Sequence, residues 1–372
     1  MSTASKTAFV TGGTGFLGIN LIKLLDEEGW KVTALHRKSS NLTYLKRFPS
    51  VSLVVGSIED KESLKKAIPE GTEVVFHVAG DISMWKKKDA MQSFINIDGT
   101  RNLVEAAAEK RVKTFICTSS NSSWGRAKGK ITEETPKKGK DSWINYERSK
   151  HLGELEAFKG MKLGMKVVSI CPADIVGPYD KASYGRCFFL MRDGKLPFST
   201  KGLFSSTHVT ELSKAHLAAV TKGKNGECYI CAGNDDDVAD VLDEIAVMVG
   251  HAKPMRLPVW VRYIGAYISD VIAMFTGVEP DDTPEITAIT TTSGLSWCSD
   301  KAIKELNYKI VPMKTALKDS YDWLVDEGLL EKHDDKGPAS SGGNSGFLAI
   351  VIVVVLAVLL SQTGIVQNFL SS

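Results

Sequence analysis

The sequence predicts a doubly wound α/β fold, a parallel sheet with helices on both faces. Six short β-branched runs interleave with segments of helical spacing through residue 171. The runs are near-continuous rather than alternating, as strands buried on both faces must be. The connections are short, which suits strand–helix–strand units.

The first strand, "KTAFVT" (6–11), runs into "FVTGGTGFLG" (9–18). Gly12, Gly15 and Gly18 stand three apart between a strand and a helix. A tight turn, close approach of backbone to a pyrophosphate, and close helix–strand packing each require glycine. The helix start brings amide donors and the positive dipole end, at Phe16 and Leu17. Together these predict dinucleotide binding. The helix that follows aligns Leu17, Leu21, Leu24 and Leu25 and stops at Gly29. "KVTALH" (31–36) is the second strand, and the residues after it select the cofactor. An acid there would hold the ribose 2′-hydroxyl of NAD. Arg37 and Lys38 stand there instead and suit a 2′-phosphate. NADP(H) is therefore expected, with NAD(H) as the alternative.

"SLVVGSI" (52–58), a helix at 61–68, "EVVFHVAG" (73–80) and a helix at 97–111 come next. "KTFICTSS" (113–120) and "KVVSIC" (166–171) are strands around a helix that begins "NYERSK". Tyr146 and Lys150, four apart, share one face of that helix. The strand before it ends in "CTSSNSSWG", where a serine would face the crevice at the carboxyl ends of the strands. Tyr146 would give its phenolic proton to a carbonyl oxygen as hydride arrives. A free phenol, with a pKa of about 10, is a weak acid near neutrality. A lysine one turn away favours the phenolate, and Lys150 could also hold the cofactor ribose. A serine hydroxyl would orient the carbonyl.

After residue 171 the pattern loosens into helices at 209–222, 238–250, 259–277 and 312–327 with short strands between. The expected division is a dinucleotide-binding domain (1–171), a smaller mixed α/β substrate lobe (172–332), a flexible linker (333–346) and a transmembrane anchor (347–366). The linker is Gly- and Ser-rich, and no charged side chain follows Lys336. "FLAIVIVVVLAVLL" (347–360), extended to Val366, reaches the roughly 20 residues of a span. The N-terminus enters a strand at once, leaving no room for a signal peptide. A C-terminal anchor with the catalytic domain facing the cytosol is expected, in the endoplasmic reticulum first, whose thinner bilayer suits a short span. In "PVWVRYIGAYISDVIAMFTG" (258–277), Arg262 and Asp270 argue against a span. A pocket-covering helix that also touches the membrane is expected there.

A net charge of +2 on 372 residues gives no reason to expect a nucleic-acid partner. The six cysteines sit mostly in apolar runs and read as reduced, buried thiols. Cys228 and Cys231 have metal-like spacing but lie in a strand, where side chains alternate faces, so no metal site is expected.

The motifs "TGGTGFLG", "HVAG" (77–80), "NIDGTRNLVEAA" (96–107), "TSSNSSWG", "YERSK", "CPADIVGP" (171–178) and "HVTELSKAH" (208–216) occur in this order. In that order they resemble the extended short-chain dehydrogenase/reductases over roughly residues 6–330. "VFHVAGDISMW" and "SDKAIKELNYKIVP" are similar to the group around dihydroflavonol and aldehyde reductases, with 3β-hydroxysteroid dehydrogenases and NAD-dependent epimerases nearby. The resemblance implies a Rossmann fold and a Ser–Tyr–Lys site. Its spacing of five residues before Gly125 selects Ser120, beside Tyr146 and Lys150. It also implies cofactor contacts at Ile58, Ala79, Lys150 and Pro172. Three positions depart from the family pattern. Ser57 stands where many relatives carry an aspartate on adenine. Cys171 replaces an arginine common with nucleotide-linked substrates, and Glu211 replaces an aspartate.

His77 is expected to be structural, and Asn96 to tie strand and helix together. Met84 and Trp85 either wall the pocket or pack the core. Tyr179, Tyr184, Phe188 and Phe189 are equally open between pocket and core. The leading expectation is an NADPH-dependent reductase of a ketone or aldehyde on a largely apolar substrate. An NAD-dependent 3β-hydroxysteroid dehydrogenase and a sugar-nucleotide epimerase or dehydratase are the alternatives. An intact Ser–Tyr–Lys set argues against a non-catalytic sensor. Oligomeric state is open.

Overall fold

The computed structural model describes residues 6–333. In chain order its first part runs β1 (Thr7–Thr11), α1 (Phe16–Glu27), β2 (Lys31–His36), β3 (Ser52–Val55), α2 (Lys61–Ala67), β4 (Val74–His77), α3 (Asp89–Ser93), α4 (Gly99–Glu109), β5 (Thr114–Thr118), β6 (Gly129–Ile131), α5 (Asn145–Phe158) and β7 (Lys166–Pro172). Then follow β8 (Asp174–Val176), α6 (Tyr184–Arg192), β9 (Phe198–Thr200), β10 (Leu203–His208), α7 (Val209–Thr221), β11 (Cys228–Cys231) and β12 (Asp235–Asp237). The last elements are α8 (Val238–Met248), β13 (Met255–Leu257), α9 (Val259–Thr276), α10 (Pro284–Thr290), β14 (Leu295–Trp297), α11 (Asp300–Leu306) and α12 (Met313–Asp326).

Among the described residues, seven strands form one parallel sheet in the order β11-β7-β5-β4-β1-β2-β3. β1 lies between β2 and β4, with Val10 opposite Ala34 on one side and Phe76 on the other. The strand order reverses there, and such a switch point opens a crevice at the carboxyl ends of the strands. Residues along each strand alternate between two cores. Val10, Phe76 and Ile116 pack on one face with Leu21 and Leu25 of α1 and Leu212 of α7. Phe9, Val75 and Phe115 pack on the other with Leu64 of α2 and Leu103 of α4. Burial on both faces is why these strands read as unbroken apolar runs. Each large side chain so buried contributes about 1.5–3 kcal/mol.

Local chemistry sets the element ends. β3 stops at Val55 rather than running on to Ile58, since the chain turns where the Asp60 amide donates to the Ser57 carbonyl at 3.1 Å; the Asp60 carboxylate then accepts from the Glu62 and Ser63 amides and caps α2. The helix expected at 97–111 begins earlier, because a π-helical turn (Phe94–Asp98) joins α3 to α4.

The chain divides into two compact units that are not consecutive in sequence. Of the described residues, unit 1 holds 6–186, 203–236 and 292–331, and unit 2 holds 187–202, 237–291 and 332–333. A break at 171/172 is not the boundary of these units, because β11 returns to pair with β7 in the main sheet. That return carries α7 and the later 292–331 segment into unit 1. Cys231 packs in the α1/α7 core while Cys228 flanks a separate cluster around Trp124. The expected linker lies outside the described residues from 334 on, as does the whole expected anchor, 347–366. Among the described residues no helix is long and apolar enough to cross a membrane.

Candidate active site

The glycine turn sits at the switch point. Gly12 has φ +72°, and a Cβ there would stand 2.5 Å from the Ala79 amide nitrogen. A Cβ on Gly18 would stand 2.1 Å from the Gly12 carbonyl, so α1 closes on the turn only as glycine. Gly15 differs: its Cβ would meet only the Gly12 carbonyl, at 3.3 Å. The space over Gly15 is therefore open, at the point where Phe16 and Leu17 start α1 with free amide donors. This geometry fits a dinucleotide pyrophosphate.

The neighbouring strand ends complete the frame. The Ala79 amide donates to Thr11 Oγ1 at 3.3 Å, which ties the end of β4 to β1. Arg37 and Lys38 follow β2 directly and are exposed. The Arg37 backbone amide donates to Ser40 Oγ at 3.1 Å. Ile58 packs on Gly99 of α4, and its carbonyl accepts from Asn102 Nδ2 at 3.1 Å. Ser57 Oγ donates to Glu59 Oε2 at 2.8 Å. Pro172 ends β7, two residues past the pairing of Thr118 with Ile170.

The structure brings Tyr146 to Ser120, with Lys150 one turn further along α5. Tyr146 OH donates to Ser120 Oγ at 3.5 Å, a long contact of the kind that tightens when a substrate binds. Ser120 caps a short 3₁₀ turn (Asn121–Trp124) and accepts from the Ser122 amide at 3.1 Å. Its neighbours are turned elsewhere. Ser123 Oγ donates to the Ser120 carbonyl at 2.7 Å. Ser119 Oγ is buried without a partner. It lines a cavity of about 10 Å3 with Asn96, Thr118, Ser149, Lys150 and Glu154. Lys150 Nζ donates to the Thr118 carbonyl at 2.8 Å.

Asn96 seats α5. Its Nδ2 donates to Ser149 Oγ at 3.0 Å and to the Asp81 carbonyl at 2.9 Å, and its Oδ1 accepts from the Asp81 amide at 2.8 Å. A Cβ on Gly153 would stand 2.3 Å from the Asn96 carbonyl, so α5 and the π-turn meet backbone to backbone.

His77 is a buried structural group. The Thr100 hydroxyl donates to the Asn96 carbonyl at 2.7 Å, so it accepts from His77 Nε2 at 2.9 Å. Nδ1 then accepts from Thr11 Oγ1 at 2.9 Å. Burial, aided by the Lys150 charge, pushes this imidazole down to about 3. His216 Nε2 meets Thr118 Oγ1 at 2.8 Å, and its Nδ1 meets the Leu212 carbonyl at 2.8 Å. Burial lowers it to about 4. Trp85 is buried, and Tyr179 stacks with Tyr44 and Trp323, so these two favour packing. Tyr184 donates to Asp174 Oδ1 at 3.0 Å.

Sequence reading missed Glu154 and Lys137. Glu154 lies four residues after Lys150 on α5, and that spacing was its one signal. It is buried, ion-paired to Lys137, and accepts from Ser169 Oγ at 2.5 Å. Burial pushes the Glu154 carboxyl up, but Lys137 and Ser169 outweigh it and hold the group below its ordinary value. Lys137 also lies 4.0 Å over the Trp124 ring, a contact no sequence interval announces.

The chain is 27% identical over 332 residues to sterol demethylase protein B of Methylococcus capsulatus, covering 87% of this chain and 100% of that protein. It is 28% identical over 279 residues to anthocyanidin reductase of Arabidopsis thaliana, covering 65% and 80%. The crystal structure of gox2253 matches with a TM-score of 0.74 at 28% identity, over 88% of this chain and 100% of that one. Residues 8–232, which include the glycine turn and the Ser120, Tyr146 and Lys150 cluster, match the NAD dependent epimerase/dehydratase family. The chain therefore belongs to that family, the extended short-chain dehydrogenase/reductases, whose members are NAD(P)-dependent oxidoreductases and epimerases.

Proposed function

We propose that this protein is an NADPH-dependent reductase of a ketone or aldehyde carried on a largely apolar substrate. The observation that carries the reading is the Tyr146 hydroxyl 3.5 Å from Ser120 Oγ, with Lys150 one turn further along α5. A bound nicotinamide supplies hydride to the carbonyl carbon. Tyr146 donates its phenolic proton to the carbonyl oxygen, and Ser120 donates a hydrogen bond to the same oxygen. The Lys150 ammonium stands beside Gly80 and Thr118, where it can turn toward a ribose hydroxyl. Asn96 and Gly153 hold the helix that carries both groups.

Arg37 and Lys38 support the phosphorylated cofactor, since both are exposed past β2 and no acid occupies that turn. Cys171 argues against a sugar nucleotide: it is buried against Lys137 and Glu154 and offers no cation to a diphosphate. We infer further that residues 347–366 anchor the protein in a membrane, the endoplasmic reticulum first, with the catalytic part facing the cytosol. An apolar substrate fits such an anchor.

The test is a panel of apolar ketones and aldehydes, 3β-hydroxysterols and sugar nucleotides, each offered with NADPH, NADH and their oxidised forms. Loss of reduced-cofactor absorbance with an apolar carbonyl and NADPH supports the reading. Turnover confined to sugar nucleotides without net cofactor consumption would sink it.

A further inference from the structure

α9 (Val259–Thr276), in unit 2, carries a surface that the reductase reading leaves unexplained. Ala266 and Ala273 are buried on one side of this helix. Arg262 lies on that side too, bonded to Asp282 at 2.8 and 3.1 Å and to Thr200 Oγ1 at 3.1 Å. The other side presents Trp260, Tyr267, Val271, Ile272, Met274 and Phe275, all exposed; Met274 is 73% and Phe275 87% exposed. At about 100° per residue these six span roughly 160° of the circumference. The helix holds two charged residues, Arg262 and Asp270, and both fall outside that arc. A solvent-facing helix surface ordinarily carries the charges, and here it carries none. With aromatic side chains of about 150–250 Å2 each, the patch is on the order of 600 Å2. That is the upper end of the largest patch on a typical monomer, about 300–600 Å2.

We propose that this face of α9 docks on the phospholipid bilayer that the C-terminal segment anchors. The proposal rests on the anchor reading above. His333 packs on Gly250 of the same unit, so the chain leaves the described structure from the body that carries α9. Residues 337–346 are rich in Gly and Ser and lead to the apolar run 347–360. Ten such residues span about 17 Å on average. A bilayer that holds the run therefore lies within reach of α9. The width of the arc suits a lipid surface better than the narrow seam that one partner helix covers. Trp260 and Tyr267 pair an apolar ring with a polar edge, the side chains favoured at headgroup depth. No basic cluster rims the arc on α9 itself, so the face is matched to neutral phospholipid rather than to an anionic surface. Docking would hold the enzyme flat against the phase in which an apolar substrate dissolves.

The experiment uses the full chain with phosphatidylcholine vesicles brominated either near the headgroup or deep in the acyl chains. The difference in emission between the parent and Trp260→Phe isolates Trp260 from the other tryptophans. Docking requires that headgroup-proximal bromine quench this difference at least twofold, more than deep bromine does. Phe275→Lys should abolish the quenching while the chain still floats with the vesicles. Flotation without quenching of Trp260 overturns the proposal and leaves the anchor standing. That outcome would point to a second copy as the cover of α9. Failure of the full chain to float would overturn docking and anchor together, and neither result bears on carbonyl reduction by the panel above.

Discussion

Tyr146 and Ser120 are 26 positions apart in sequence and 3.5 Å apart in space. The contact depends on a hydroxyl at each end, and Tyr146 has no other hydrogen-bond partner through its phenol among the described residues. Tyr146→Phe is therefore expected to lower turnover by about 10²-fold or more, the scale of an acid–base group. Cofactor affinity, followed by NADPH fluorescence, should stay nearly unchanged. A variant that keeps most of its turnover would reduce "YERSK" to a helix face. A substitution at Arg37 tests a different quantity, the choice of cofactor. Arg37→Asp should weaken NADPH far more than NADH, because it removes a cation from the 2′-phosphate and offers an acid to a 2′-hydroxyl. Equal losses for both cofactors would show that Arg37 does not reach that position.

At the scale of elements, α5 is the carrier of the site. Tyr146, Lys150 and Glu154 recur every four residues and so share one face. Glu154 and Lys137 form a buried pair, and breaking such a pair strands a charge. Glu154→Gln should destabilise the fold by about 3–5 kcal/mol in chemical denaturation. A smaller effect, within about 1 kcal/mol, would mean that Lys137 reaches water without its partner. Two buried histidines, one ending β4 and one inside α7, also carry a pH dependence. His77 and His216 are held below the ordinary imidazole value, to about 3 and about 4. The unfolded chain then binds these protons more readily than the folded one. Their contribution to stability is full above about pH 6.5 and is lost as pH falls from there toward 4. Each histidine should cost about 2 kcal/mol between pH 6.5 and 5. His216→Asn should flatten the denaturation midpoint over that range even though it lowers stability at pH 7.5. An unchanged slope would mean that His216 does not resist protonation.

For the whole molecule, the main sheet gathers β11 and the 292–331 segment into unit 1, and α9 belongs to unit 2. The site residues from Gly12 to Pro172 all lie in unit 1. Catalysis should therefore survive loss of the C-terminal segment. A chain ending at Lys336 is expected to retain turnover on a water-dispersed carbonyl, within about twofold of the full chain. In cell fractionation it should leave the membrane pellet, whereas the full chain stays there until detergent is added. A full chain that is equally soluble without detergent would rule out the anchor.

The sequence by itself determined the sheet-and-helix alternation, the glycine turn and the Tyr146–Lys150 helix face. Each depends on short intervals: a period of two or four residues, a glycine every third position, an apolar run on both faces of a strand. Local sterics and backbone hydrogen bonding act over the same distances, so such features are legible in the chain. The interleaving of the two units was not, because β11 chooses its partner strand 50 or more residues back through packing that no local interval encodes. The same holds for Lys137 against Glu154 and Trp124, while Asn96 was legible as a tie of strand to helix and only its partner Ser149 was not. Periodicity could say that α9 has two sides. Only the tertiary structure decided that the small and ionic side faces the protein, on Ala266, Ala273 and the Arg262–Asp282 pair, and that the large apolar side does not.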